Sequence, residues 1–561
     1  MSAMKNSLTA RIAFFCCLAA AAGCFISCKR RTEHKNFTVF RYNEMGDVTS
    51  LDPASARSFE NEVIDNQIYN GLIQLDDSLK IRPCIAKKWE ISPDGKIYTF
   101  HLRQDVFFHD DSIFPGGKGR KVTASDFVHS FFRLFDARVS DATTLLANVD
   151  RVYPGTYQGF YAPNDSTFII YMKRAYAPFM NILTMKYFSV IPIEAVDRYG
   201  LDFGEHPVGT GPFQLKRWER GDRMILVRNE HYFEKDKQGT PLPYIDGVVI
   251  TFIKDAETSF LQFLDDKMDL VSGILAINPR EVLTPDGQLK DEFKKKMYMQ
   301  RTPFIKTDYL GFMVDSSRKG TDKNPLCNKT LRQAINYAIN RENIVRYLRN
   351  NVGIPANGGF VPPFLPGSRN NKVQGYSYNP DMARQLLAAA GYPNGNNLPV
   401  LVLRVSSEWE QLALAVQSQL QQVGIKVNVL REQPAILAEC VASGQCYFFK
   451  KSWVGDYPDG ENFLSLFCTK NFSPQGVNYF RYSDPAFDEL YDQAIGESND
   501  SIRYADYRKL DEMVMEAAPV VPLYYDEVIR LVSNKVSGLP VNSLNMLDLR
   551  YVKKAGGEQG E

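Results

Sequence analysis

With 561 residues the chain is too long for one hydrophobic core, so two or three domains are expected. A net charge of +1 excludes the basic footprint of a nucleic-acid-binding protein and a polybasic membrane surface. The 12% aromatic content suits a large core, or a large apolar cavity with polar anchors.

Lys5 and Arg11 form a positive leader, and Ile12 to Ile26 is an apolar stretch too short for a typical membrane-spanning helix. Ser27 stands directly before Cys28, as in a bacterial lipobox, so residues 1–27 read as a lipoprotein signal peptide with Cys28 as the acylated residue. Cys24 is a second candidate, and an ordinary cleaved signal peptide is the other reading. A diacylglycerol thioether and a further acyl chain on Cys28 would supply the several chains that stable anchoring needs. The mature chain is therefore expected outside the cytoplasmic membrane, tethered through residues 28–36. Five cysteines lie beyond this region, Cys84, Cys327, Cys440, Cys446 and Cys468, with neither a zinc spacing nor a disulfide framework. One disulfide among Cys440, Cys446 and Cys468 fits an oxidising compartment, with the pairing open.

Thr38–Tyr42 alternates and reads as a strand; Asn61–Leu72 reads as a helix. Pro93-Asp94-Gly95 is a turn between alternating segments, the second being Ile97–Leu102, so a β-hairpin is expected. Thr123 and Asp126 form a capping box before Phe127–Phe135. Ser166–Met172 is a strand. Gly209-Thr210-Gly211 is not a phosphate loop, because no helix or Lys-Ser/Thr follows. It reads as a tight turn feeding a hairpin through Gln214–Trp218 and Arg223–Arg228. Tyr244–Ile253 is a further strand and Ala256–Leu264 a helix. Lys294-Lys295-Lys296 reads as a solvated helix face.

Asn328–Leu348 reads as one amphipathic helix with Leu331, Ile335, Ile339 and Leu348 on a face. Asn379 and Pro380 open another, which Gly391 closes. Leu398–Val405, Trp409–Val423 and Ile425–Leu430 form a β-α-β unit, which implies a partly parallel α/β sheet. Tyr504–Glu516 is helical and Pro522–Leu531 a strand.

Lys450–Phe463 is the stretch richest in chemistry. The run Tyr447-Phe448-Phe449 reads as a strand, and Pro458, Asp459 and Gly460 are turn residues. Asp456 thus sits where a buried strand opens into a loop flanked by Trp453, Tyr457 and Phe463. A carboxylate there loses hydration and needs a positive partner. Lys450, Lys451 or a ligand ammonium can supply it. A capping Asp at the start of the next helix is the plainer alternative.

Taken in order, several short motifs carry a resemblance. They are Leu51-Asp52-Pro53, Tyr69-Asn70-Gly71-Leu72, Ala86–Glu90 with Ser92–Lys96, Pro207–Phe213, Leu331–Ala334 through Arg341, Asp381 through Tyr392, and Trp453–Tyr457. In this order the chain resembles the extracellular solute-binding proteins of family 5, the oligopeptide- and dipeptide-binding proteins of ABC transporters, from about Phe37 to about Val552. The resemblance implies an α/β, type II periplasmic-binding-protein fold. Two lobes would close on a ligand in the cleft between them, and the first lobe would carry an extra domain. Domain I would comprise 37–56, 186–275 and 521–552, domain II 57–185 and domain III, the second lobe, 276–520; 553–561 would be a tail.

It further implies a short extended peptide as ligand, an ABC permease in the cytoplasmic membrane as partner, and a monomer with no cofactor and no nucleic-acid role. By the family's W-x-x-D motif, Asp456 would meet the peptide's ammonium. Lys450 stands where some members place an Arg for the peptide carboxylate; it keeps the charge and loses the bidentate fork. Ser406-Ser407-Glu408-Trp409 lacks the Arg of dipeptide-binding members, which argues against a strict dipeptide binder. Trp453, Tyr457 and Trp409 would line the ligand site. Asp52 reads as a junction residue first and a ligand contact second.

The same fold binding a metal chelate, haem, an oligosaccharide or a signalling peptide is the alternative. A secreted peptidase is remote, since the sequence holds no H-E-x-x-H, no G-x-S-x-G and no suggestive Cys/His pairing. His101 and His109, with Asp110 and Asp111, lack the spacing of metal ligands on a helix, so no metal site is expected.

Overall fold

Two long antiparallel strands, Met297–Phe312 and Val520–Ser533, form the spine of the fold, paired from Met297 opposite Ser533 to Gly311 opposite Val520 with register shifts between Pro303 and Thr307 and between Asp308 and Tyr309. The computed structural model describes residues 37–56, 58–273, 278–317, 324–368 and 373–556. The expected signal peptide, Cys24 and Cys28 lie outside these residues. Val39–Ala555 make up one unit, which holds every element below.

Val520–Ser533 is rich in Val, Leu, Ile and Tyr and is buried almost throughout, as a central strand covered on both faces must be. Beyond the spine on one side come Phe448–Val454, Leu401–Ser406 and Val427–Glu432. On the other side come Leu270–Ser272, Val39–Asn43, Gly247–Thr251, Arg223–Arg228 and Phe213–Glu219. Ile354–Pro355 completes an eleven-stranded sheet.

The sheet is mixed. Leu401–Ser406 and Val427–Glu432 run parallel, joined by the helix Glu410–Gln421, as the β-α-β reading expects. Val39–Asn43 is parallel to Gly247–Thr251. A separate antiparallel sheet holds Ala86–Ile91, Ile97–Leu102, Thr167–Tyr171 and Phe160–Asn164, and includes the expected hairpin. Its apolar face packs on the helix Ala124–Phe132, with Phe131 edge-on to Phe168 at 5.4 Å. The capping box is present: the Thr123 amide donates to Asp126 Oδ2 at 2.8 Å.

The Gly209-Thr210-Gly211 turn proves to be a packing device. A Cβ on Gly209 would lie 2.1 Å from the Ile68 carbonyl oxygen, and one on Gly211 2.4 Å from the Ile68 carbonyl carbon. The approach allows the Gly211 amide to donate to the Ile68 carbonyl at 2.8 Å. His109 clamps the same turn, its Nε2 bonding the Gly211 carbonyl at 3.0 Å while its Nδ1 accepts from the Gly209 amide at 3.3 Å. Burial lowers the His109 pKa to about 4, so the ring is neutral and can fill both roles. Among the described residues no group of His, Cys, Asp and Glu is placed to hold a metal.

Two expectations are corrected. The helix at 328–348 is broken: Lys329–Ala338 ends, Ile339 is extended, and Asn340 caps a new turn by accepting the Asn343 amide at 2.9 Å. The cause is Arg341, which is fully buried and must reach carbonyl oxygens of Asn336, Tyr376 and Pro522 to satisfy its donors. Lys294–Lys296 lies in turns rather than a helix, with Lys294 paired to Asp291 at 2.6 Å. Asp52 accepts the Ala54 amide and a two-pronged contact from Arg133 at 3.1 and 2.6 Å, which makes it a junction residue.

Candidate ligand site

Phe448–Val454 pairs antiparallel with Met297–Phe312 and carries its polar residues toward its C-terminal end. There the chain leaves the sheet through Gly455, whose amide donates to the Ile305 carbonyl at 2.7 Å. The helix Glu461–Leu464 lies just past the turn.

The cap of this turn is Asp459, not Asp456. Asp459 Oδ1 accepts the Glu461 amide at 2.9 Å, and its Oδ2 accepts from Asn181 at 3.2 Å. The Asp456 carboxylate has only a long contact from Asn462 Nδ2 at 3.4 Å. The same Asn462 takes the indole N–H of Trp453 at 2.9 Å, so Trp453 fixes the residue that steadies Asp456.

Asp456 opens into a cavity of about 90 Å³ between the turn, the helix Phe59–Ile68 and the segment around Asn542. The lining is anionic: Glu62, Asp76, Asp77, Asp456 and Asp548 face Lys186 and Arg550, a formal balance of −3. Arg550 is already committed to Asp548, at 2.8 and 2.6 Å, and to Glu234. Neither Asp456 nor Glu62 has an ion-pair partner among the described residues. Asp456 is exposed to solvent, and the protein packed around it nevertheless raises its pKa. Burial, and then repulsion from Asp456, raises the Glu62 pKa to about 7, against the pull of Lys186. Burial in turn lowers the pKa of the Lys186 ammonium. Two under-neutralised carboxylates thus face one space, an arrangement suited to a ligand ammonium.

The other expected residues do not share this cavity. Lys450, expected to meet a ligand carboxylate, is buried with its ammonium already engaged: it pairs with Asp308, donates to Ser452 Oγ at 2.8 Å, and lies 3.3 Å from the centre of the Trp409 ring. Trp409 covers this ammonium and supplies a cation–π contact in place of water. Asp308 is also 3.2 Å from Lys306, which reaches Asp526 at 2.8 Å, and Asp526 pairs with Arg349. Cation and carboxylate alternate along this five-residue chain. Burial opposes the charge on Asp308, but Lys450 and Lys306 outweigh it and hold its pKa well below the carboxylate range. Burial brings Lys450 down to about 8 despite Asp308, so both are charged at neutral pH. Tyr457, expected to line the ligand site, is buried with its hydroxyl donating to Glu461 Oε2 at 2.5 Å.

Glu62 and Lys186 escape a reading of the sequence, because nothing local marks them; only the tertiary fold brings them opposite Asp456. A cavity of about 190 Å³ beside Tyr42 and Glu44 contains none of the expected site residues.

Residues 80–475 match the model of the bacterial extracellular solute-binding proteins, family 5. The chain is 30% identical to heme-binding protein A of Haemophilus influenzae over 84% of each chain. It is 26% identical to the dipeptide-binding protein of Escherichia coli over 85% of this chain and 87% of the relative. Among solved structures it is similar to an ABC transporter-associated periplasmic binding protein of Helicobacter pylori in complex with the peptide STSA. That similarity has a TM-score of 0.71 at 26% identity, covering 93% of this chain and 99% of that one.

Proposed function

Because this chain belongs to the bacterial extracellular solute-binding proteins of family 5, with their type II periplasmic-binding-protein fold, we propose that it captures short peptides and delivers them to an ABC permease in the cytoplasmic membrane. The observation that carries the reading is the Asp456 carboxylate, spared from capping by Asp459 and facing an anionic cavity with no ion-pair partner among the described residues. A peptide's α-ammonium supplies that missing charge, and Glu62 reinforces it. Relatives named for binding dipeptides and glutathione support a peptide ligand. The relative named for haem does not favour haem here, since its carboxylates would meet Asp456 and Glu62 as like charges and the cavity lining contains no histidine. The relatives are binding proteins, and this chain is read as a carrier rather than an enzyme. We assign Cys28 as the lipid-bearing residue on the Ser27-Cys28 spacing alone. The two lobes are taken to close by bending near the interrupted stretch of the spine between Pro303 and Thr307.

Two measurements test the ligand. Mass spectrometry of material that co-purifies with the native protein is expected to find peptides with free amino termini. A metal chelate, haem or an oligosaccharide in their place overturns the reading. Calorimetric affinity should also depend on pH in a defined direction. The free site holds a proton on Glu62 up to about pH 7, and the ligand ammonium displaces it. Affinity should therefore rise about tenfold per pH unit between 5.5 and 7, then fall above about pH 8 as the α-amino group deprotonates. A flat profile, or tighter binding in acid, contradicts an ammonium subsite at Glu62.

A further inference from the structure

We propose that Cys440 and Cys446 form a disulfide. The helix Pro434–Ala442 ends in a turn where Gly444, at φ +69°, reverses the chain. The amides of Gln445 and Cys446 then both donate to the Cys440 carbonyl, at 2.9 and 3.2 Å. This helix-ending turn folds the Cys446 backbone back against that of Cys440, the proximity that a disulfide requires. Burial, and then the neighbouring Cys440 thiol, raises the pKa of the Cys446 thiol, in keeping with this proximity. Cys446 is buried and Cys440 half-buried, so an external reagent has access to the latter. Cys468 is buried as well, and the charges of Lys470, Asp488 and Glu461 act on its thiol.

The site has a mechanical reason to be covalent. The helix Pro434–Ala442 buries only Leu437 and Val441, leaves Ile436 exposed, and comes directly after the edge strand Val427–Glu432. Little apolar surface holds it down. A cystine would tie its last turn to the base of Phe448–Val454, the strand whose other end presents Asp456. The chemistry needs an external disulfide as oxidant, such as oxidised glutathione or a disulfide oxidoreductase. The Cys440 thiolate attacks that disulfide and expels one thiolate. The Cys446 thiolate then attacks Cys440 Sγ in the mixed disulfide and expels the second. The external disulfide gains two electrons, and the two protons go to solvent.

The test is a peptide map of the purified full chain after equilibration with oxidised glutathione, acid quenching and alkylation in denaturant. The peptide spanning Cys440 and Cys446 should be unlabelled and two hydrogens lighter than its reduced form, and should take two labels after reduction. Cys440→Ser should leave Cys446 open to labelling, while Cys468→Ser should leave the bond intact. Two labels on the wild-type peptide without reduction, a glutathione adduct that fails to close, or a bond to Cys468 overturns the proposal. The readout is covalent mass, so its outcome is independent of what ligand the protein carries.

Discussion

Replacing Asp456 with alanine is expected to weaken binding of a free-amine peptide by about 2 kcal/mol, roughly 30-fold, the scale of losing a charge-assisted hydrogen bond. The fold should survive, because the Asp456 side chain makes one long internal contact and caps nothing. Acetylating the peptide's amino terminus should weaken wild-type binding by a similar amount. The two changes should not add, since each removes one side of the same contact. Calorimetry of the four combinations decides it. Full additivity would place the ammonium elsewhere, and an unchanged affinity for Asp456→Ala would end the assignment.

Asp308→Ala should have the largest effect on stability. The substitution leaves Lys306, Lys450 and Arg349 with Asp526 as their one carboxylate, and breaking a buried pair by removing one partner costs about 3–5 kcal/mol. The thermal midpoint should drop by several degrees. Asp308→Ala combined with Lys450→Met should recover part of the loss, because no ammonium is then stranded beneath Trp409. If the single variant melts like the wild type, the charge chain contributes nothing. The pH dependence has a fixed sign. Asp308 is more acidic when folded than unfolded, so its contribution is complete above about pH 4 and is lost on further acidification.

The sequence disclosed what neighbours in the chain determine. The hairpin around Pro93-Asp94-Gly95 and the unit from Leu401 to Glu432 come from local periodicity and turn chemistry. The position of Asp456 where a strand opens into a loop was legible because strand, turn and motif all lie within a dozen residues. The choice between Asp456 and Asp459 as the cap was not, since both stand near the helix start and only backbone geometry separates them. The role of Lys450 was not legible either, because its partner lies 142 residues away on a neighbouring strand. The break at Ile339 was hidden for a similar reason. The apolar spacing runs on, but the distant carbonyls that satisfy Arg341 override it.

The interruption in the spine touches the proposed ligand site directly. Between Pro303 and Thr307 the long strand gives up its pairing with Val520–Ser533; there the Ile305 amide turns to the Ser543 carbonyl at 2.9 Å, while its own carbonyl takes the amide of Gly455. Gly455 is the residue before Asp456. Under the proposed assignment, a load on Asp456 would pass through one peptide unit into the stretch where the spine changes register.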